Sequence, residues 1–304
     1  MSAKCLACGS LDTRHWATAR DVEYHAVQGD FDYVRCAACD ALSIAEPPVD
    51  RLGEIYPANY YSFSEGGTSP VARVKQWLDR RQFGALFAKI PGDRLAALDV
   101  GGGAGWLLTL AQHVEPRLTD TMVVDLDVAA EARARAAGHG FYLGPVETYE
   151  TEKRFDVIFL LNLIEHVADP TAVLARMRGL LAPGGVIFVK TPNHDSLDAR
   201  LFRNRSWGGL HAPRHWVLFT PESFEASAQR AGLAVRSLQL TQGAPFWAVS
   251  ALEWLGRRGL ARIDRDRPMV EHPLFGGLTA AFAAFDMLRR PFGRTSQMFV
   301  TLTA

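Results

Sequence analysis

Between Leu95 and Lys190 short apolar runs alternate with helical ones, and no other feature of the chain constrains its fold as tightly. Leu95 to Val100, Met122 to Asp125, Phe155 to Leu161 and Val186 to Lys190 read as strands, and Trp106 to His113, Val128 to Ala137 and Thr171 to Leu181 as helices. Helices of this length between consecutive apolar strands require a parallel sheet covered on both faces. Pro221 to Ala231 adds a helix, and Leu233 to Leu240 and Gln297 to Leu302 add strands. The predicted class is α/β, a doubly wound, seven-stranded, mostly parallel Rossmann-like sheet with a helical insertion at about 243–295 before the last strand.

The first of these strands ends in Asp99-Val100-Gly101-Gly102-Gly103-Ala104-Gly105. Glycines let the backbone approach a ligand with no Cβ in the way, and the helix that follows offers unpaired N–H groups, so a nucleotide-like ligand is expected here. The dinucleotide pattern Gly-x-Gly-x-x-Gly fails, because its third glycine position holds Trp106 counted from Gly101 and Leu108 counted from Gly103. A Gly-x-x-x-x-Gly-Lys-Ser/Thr phosphate loop is absent too. Asp125 closes the second strand, where a carboxylate can accept both hydroxyls of a ribose. Asp127 suits a helix cap better.

All four cysteines stand near the N-terminus as two Cys-x-x-Cys pairs, Cys5/Cys8 and Cys36/Cys39. Each pair is followed by a turn-forming residue, and the alternating run Asp30 to Arg35 would lead into the second pair as a strand. This spacing predicts a tetrahedral four-thiolate zinc site with no open position, which folds a module and performs no chemistry. The alternative of two disulfides requires an oxidising compartment, whereas no secretory signal peptide is seen and a cytoplasmic protein keeps its thiols reduced.

Lys+Arg and Asp+Glu number 33 each, so no global field attracts a polyanion, and bulk DNA or tRNA binding is disfavoured. The best apolar stretch, Pro273 to Phe285, is too short to span a bilayer. The expected organisation is a zinc module over 1–50, a linker and helical cover over 51–92, and a catalytic domain over 93–304. The linker carries an aromatic patch, Tyr56, Tyr60 and Tyr61, and the cover is an amphipathic helix from Val71 to Ile90 with Trp77, Leu78, Phe83, Leu86 and Phe87 at helical spacing.

The pattern Asp-x-Gly-x-Gly-x-Gly from Asp99 resembles the first motif of class I S-adenosylmethionine-dependent methyltransferases. The resemblance continues through Asp125, Gly144-Pro145-Val146-Glu147, Asn162-Leu163-Ile164-Glu165-His166-Val167 and Leu181-Ala182-Pro183-Gly184-Gly185. In its long form, Glu-His-Val followed by Asp-Pro, the sequence looks like the ubiquinone-biosynthesis O-methyltransferase group, some of whose bacterial relatives carry an N-terminal Cys-x-x-Cys module. The resemblance implies that S-adenosylmethionine is held by Asp99, Gly101, Gly103, Gly105, Asp125, Val146, Glu147 and Asn162. In the ubiquinone enzymes the loop reads Glu-x-x-Glu-His and is associated with a divalent cation. Asn162 replaces the first glutamate, which leaves Glu165 and His166 a poorer site for a hard cation.

His166 is then a candidate general base, or it packs beneath the cofactor. A second titratable cluster lies in Trp207 to Trp216, on the substrate side in this fold: His211 and Arg214 read as the freer members, and His215 as fixed just ahead of a helix capped by Thr220-Pro221. Position favours His215 over His166 as the base. Asn193, at the end of the fifth strand, binds substrate or caps its own turn. The expected acceptor is a hydroxyl, or a carbon, of a small molecule, glycan or lipid-linked intermediate. The competing readings are a zinc-ribbon RNA methyltransferase and a non-enzymatic cofactor-binding module. The stripe Leu274, Phe275, Leu278, Phe282, Phe285 and Leu288, which runs into Arg289-Arg290, forms a lid, a homodimer contact or a peripheral membrane surface.

Overall fold

The computed structural model describes residues 3–57, 60, 70–204 and 206–304. Of the expected linker, Ala58, Asn59 and Tyr61 through Ser69 lie outside the described residues, as do the side chains of Val71 and Val74.

Strand β1 (Thr13–Ala19) pairs antiparallel with β2 (Phe31–Cys36), and β2 with β3 (Leu42–Ile44). A short helix α1 (Leu52–Ile55) precedes the long α2 (Pro70–Phe87). Then come β4 (Leu95–Val100), α3 (Trp106–Val114), β5 (Leu118–Asp125), α4 (Val128–Ala136), β6 (Gly140–Leu143), β7 (Phe155–Leu161), α5 (Pro170–Leu180) and β8 (Leu181–Pro192). After α6 (Leu197–Phe202) the chain makes a two-residue strand β9 (Val217–Leu218), then α7 (Pro221–Arg230) and β10 (Ala234–Thr241). The insertion forms α8 (Ala244–Arg257) and α9 (Phe275–Arg289), and β11 (Gln297–Thr303) closes the chain.

The large sheet has the order β10-β11-β8-β7-β4-β5-β6, with β11 antiparallel to both its neighbours. Its central strand shows why both faces are covered. In β7, Val157 and Phe159 enter the core with α2 and α3, while the alternating Ile158 and Leu160 enter the core with α5 and α7. The Pro183-Gly184-Gly185 segment is not a free turn ahead of β8. Phe155 pairs with Leu181, the ladder slips, and pairing resumes at Val157 and Val186, so this segment is an irregularity inside the strand.

Among the described side chains of α2, the cover begins at Phe83. Phe83, Leu86 and Phe87 are buried, whereas Trp77 and Leu78 of the expected apolar face stand about half exposed, because packing against the sheet begins at Phe83. In the insertion, Trp247 of α8 stacks on Phe282 of α9 at 5.0 Å and meets Phe285 edge-on. Leu274, Leu288 and Phe292 remain exposed. Among the described residues no helix is long and apolar enough to cross a membrane.

The N-terminal sheet is finished by a piece of chain nearly two hundred residues away: its order is β1-β2-β3-β9, with Leu42 opposite Leu218. The joint is deepened by side chains. The Tyr33 hydroxyl donates to the carbonyls of His215 (2.9 Å) and Leu210 (3.2 Å). Arg214, fully buried, forms a two-pronged pair with Asp21 (2.9 and 3.1 Å), donates to the Ile55 carbonyl at 2.6 Å, and lies over the Tyr24 ring. Burial alone would raise the Asp21 carboxyl, but the guanidinium overcomes this and holds it below its ordinary value. Removing one member strands the other charge without water. Asp21→Ala should therefore cost about 3–5 kcal/mol in urea unfolding, while Asp21→Leu combined with Arg214→Met should recover most of that loss. A cost under about 1 kcal/mol would show that solvent reaches the pair.

Candidate active site

The glycine loop joins β4 to α3. Gly105 caps α3 in a left-handed conformation (φ 77°) with no side chain on the helix's first N–H groups. A Cβ there would lie 2.4 Å from the His139 ring, which is fixed between the hydroxyls of Thr109 (2.9 Å) and Thr121 (2.8 Å). Asp125, at the end of β5, accepts from Gly103 N at 2.7 Å and Asp127 N at 2.9 Å, so one carboxylate fixes the loop against the strand. Asp127 itself caps α4 by accepting from Ala129 N. Behind the loop, Asp99 is buried, and its Oδ2 has no hydrogen-bond partner among the described residues. Burial and the neighbouring Asp125 charge push its carboxyl well above the ordinary range. A Cβ at Gly102 would stand 2.5 Å from that oxygen, so the middle glycine is required by Asp99. Val146 is buried and Glu147 exposed in the turn after β6, and Asn162, exposed with φ 53°, follows β7. A bare helix terminus, an orphaned buried carboxyl oxygen and a strand-end aspartate fit a ligand with an amino-acid end and a ribose.

Just past Asn162, Glu165, His166 and His215 converge, with ligand atoms all within 4.8 Å of one another. His166 Nδ1 lies 2.9 Å from the Arg214 carbonyl and 2.9 Å from the Tyr56 hydroxyl, and His215 Nδ1 lies 2.8 Å from the Gly209 carbonyl. A carbonyl only accepts, so each ring carries its proton on Nδ1 and keeps its lone pair on Nε2. Burial holds His166 down at about 3 and His215 well below the ordinary value, so both rings are neutral. Glu165 is pushed up to about 8 by burial, although Thr191 donates to its Oε2 at 2.9 Å; its Oε1 lies 4.0 Å from His215 Nε2. Two nitrogens and one carboxylate oxygen would suit a borderline metal ion better than a hard one. His211 meets the His166 ring edge-on and the His215 ring at a tilt, places Nδ1 against Glu23 and reaches the Tyr60 hydroxyl at 3.2 Å.

The four cysteine sulfurs also converge within 4.8 Å, with Cys5–Cys39 at 3.7 Å and Cys8–Cys36 at 3.6 Å. Four thiolates at about 2.3 Å from one ion stand about 3.8 Å apart, so this spacing fits zinc. All four are free thiols.

The methyltransferase-domain family matches residues 73–238, more than half the chain. The chain belongs to this family. A trans-aconitate 2-methyltransferase of Methylobacterium radiotolerans is 32% identical over 144 residues, which cover 45% of this chain and 49% of that protein. A ubiquinone biosynthesis O-methyltransferase of Bordetella avium is 27% identical over 184 residues, covering 55% of this chain and 73% of that one. The chain thus spans from about half to about three quarters of these relatives' lengths. Among solved structures, a coclaurine N-methyltransferase bound to N-methylheliamine and SAH shares the fold, with a TM-score of 0.53, 14% identity, and 86% of this chain and 82% of that chain covered. Together these establish a class I S-adenosylmethionine-dependent methyltransferase with the Rossmann-like sheet described above.

Within this methyltransferase several expected residues occupy different roles. Arg214 is not a free cation facing substrate, because Asp21 and the Ile55 carbonyl consume its guanidinium inside the protein. His211 is likewise buried, with its Nδ1 against Glu23. The Asn193 amide donates to the carbonyls of Asp195 and Thr295 and its oxygen accepts from Asp195 N, so it caps its own turn. His215 sits behind His166, ring centroids 4.8 Å apart, and it is His166 that keeps partial exposure. No local sequence signal marks Gly102, His139, Tyr56 or Tyr60 as site residues. Gly102 stood within the motif, but only the rotamer of Asp99 shows why it must be glycine. Asp125→Ala and Gly102→Ala should each weaken S-adenosylmethionine binding by more than roughly tenfold in calorimetry, through a lost charge-assisted contact and a displaced Asp99 respectively. Unchanged affinity in Gly102→Ala would show that Asp99 swings aside freely.

Proposed function

We propose that this methyltransferase methylates an oxygen nucleophile of a small molecule, glycan or lipid-linked intermediate, with His166 as the base. The observation that carries this reading is the neutral, buried Glu165–His166–His215 cluster immediately past β7, beside Asn162. An acceptor that arrives as a hydroxyl must lose a proton, and a cluster with two imidazole lone pairs can take it. The similarity to an enzyme named as an O-methyltransferase points the same way. S-adenosylmethionine, when bound, supplies a methyl group already activated by its sulfonium. The glycine loop and Asp125 hold the cofactor, and His166 Nε2 receives the acceptor's proton. His215 and Glu165 stand behind it to stabilise the charge that develops on the ring.

Glu165 is uncharged below its raised value of about 8 and anionic above it, so the cluster becomes a better proton acceptor as pH rises through that range. The kcat/KM of the wild type should climb through about pH 8, and Glu165→Gln should flatten that limb. His166→Gln should lower transfer by roughly two orders of magnitude with cofactor affinity intact, and His215→Gln by less. A larger loss in His215→Gln would return the role of base to that residue.

In the same reading, Cys5, Cys8, Cys36 and Cys39 hold one structural zinc ion per chain, measurable by elemental analysis. The N-terminal module grips the His211–His215 segment through Tyr33 and Asp21, whereas the glycine loop is held by β4, α3 and Asp125. Cys36→Ser should therefore lose zinc, lower the melting temperature and reduce transfer, while S-adenosylmethionine binding persists. An unchanged melting profile after metal removal would exclude a folding role.

A further inference from the structure

Helix α9 offers water almost nothing to bind. It lies antiparallel to α8: Phe275 and Leu278 pack against Leu252, Trp247 stacks on Phe282, and the Asp286 carboxylate accepts from Gly243 N at 2.9 Å. Asp286 is its one buried residue, and its exposed positions are all Gly, Ala, Phe, Met or Leu. The largest of them gather at its C-terminal end, where Met287 is 67% exposed, Leu288 78% and Phe292, just beyond the helix, 89%. Single apolar side chains in water are ordinary, but a continuous apolar face rimmed by charge marks a surface that meets something other than water. A helix apolar all round belongs inside protein or against lipid.

Charge decides between the two. From 255 to 294 the chain carries eight arginines and no lysine against four acids, in a protein whose charges otherwise balance. Arg257, Arg267, Arg289 and Arg294 are spent on Glu253, Asp264, Asp286 and Glu222. Among the described residues no salt bridge reaches the exposed Arg290, which stands in the chain between Leu288 and Phe292, or the exposed Arg258, which lies over Trp254 at 4.3 Å at the other end of the hairpin. The sole acid between Phe275 and Gly293 is the buried Asp286. A second copy of this face would therefore set arginine toward arginine with no carboxylate to meet it, whereas a surface of phosphates over acyl chains complements both the charge and the apolar area.

We propose that the α8–α9 hairpin docks the protein on an anionic lipid surface, with Met287, Leu288 and Phe292 entering the acyl boundary and Arg290 and Arg258 on the head-group phosphates. The hairpin also stands at the working edge of the sheet. It leaves the sheet at Thr241 and returns at Gln297, which pairs with Pro192 at the C-terminal end of β8, the edge where β4 delivers the glycine loop and β7 delivers Glu165. Helix α8 packs on the loop that carries His215: Gly208 N donates to Ser250 Oγ at 2.8 Å, and the Phe246 ring meets the His215 ring edge-on at 6.4 Å. Docking through this hairpin brings the candidate site to the lipid boundary and favours a lipid-linked acceptor, a step that rests on the proposed function, whereas the docking does not.

The test is co-sedimentation of the full-length protein with vesicles of phosphatidylcholine alone, or of phosphatidylcholine and phosphatidylglycerol in equal parts. The protein should sediment with the mixed vesicles, less so as salt is raised, and weakly with the neutral ones. Leu288→Glu combined with Phe292→Glu should lower partitioning roughly tenfold or more, and Arg290→Ala about fivefold. These side chains are exposed, so the thermal melt and S-adenosylmethionine affinity should stay unchanged. Leu11→Glu, at an exposed apolar residue of the N-terminal module, should leave partitioning intact. Absence of sedimentation with either vesicle, or an equal loss in Leu11→Glu, overturns the docking surface. A dimer in lipid-free sedimentation velocity that Leu288→Glu dissolves assigns the face to a second copy and overturns it as well. Loss of S-adenosylmethionine binding in the wild type would instead overturn the reading of the site, so the two failures are separable.

Discussion

Arg214 and Asp21 hold together the two halves of this molecule that chemistry needs side by side. A guanidinium with no exposed surface is stable only when its donors are fully used, and here they meet a carboxylate, two backbone carbonyls and the face of a tyrosine. Every one of these partners except the Ala212 carbonyl belongs to the first sixty residues. The pair therefore sets where the loop bearing His211 and His215 stands relative to the large sheet, and that placement brings His215 against Glu165 and His166 in the turn after β7. The electrostatics of the site follow. Three titratable groups meet there, and burial is the first cause of shift in each, driving both imidazoles toward neutrality and the carboxyl toward its acid form.

Much of this was legible in the sequence, and the reason is local periodicity. The strand-helix alternation from Leu95 onward reports which faces are buried, and the glycine spacing excludes a dinucleotide loop by the identity of single residues, Trp106 and Leu108. The cysteine spacing is equally local. What could not be read were the partners that come from far along the chain. Arg214 looked like a substrate-binding cation because sequence shows a guanidinium between two tryptophans and does not show Asp21 beneath it. Tyr56 and Tyr60 looked like linker aromatics because nothing nearby marks them as hydrogen-bond partners of His166 and His211. The stripe of the insertion was visible as a stripe, but Phe282 lies on Trp247 while Leu288 stays in water, a division that depends on where α8 happens to cross.

The two sets of convergent side chains differ in what their neighbours allow. The cysteines lie at the spacing of a closed tetrahedral site and are surrounded by packing from α5 and α7, with Arg230 and Thr171 both bonded to the Ala7 carbonyl. Such a cluster, half-buried and held from both sides, is suited to structure. Glu165, His166 and His215 are held from outside by carbonyls and a hydroxyl, which fix the ring orientations and leave Nε2 of each imidazole as its lone-pair nitrogen.

The pairing of β3 with β9 has a consequence for how the protein is made. Strand β3 ends at Ile44 and its partner ends at Leu218, so 174 residues must leave the ribosome before the N-terminal sheet can acquire its last strand. At about 5–20 residues per second that is roughly 10–35 s during which a three-stranded edge stays open and the buried home of Arg214 is unfilled. The cysteine module is synthesised before the catalytic sheet and is completed after β8 of that sheet. Capture of a metal ion by its thiols during that interval would keep the nascent edge in register until the catalytic sheet has formed beneath it.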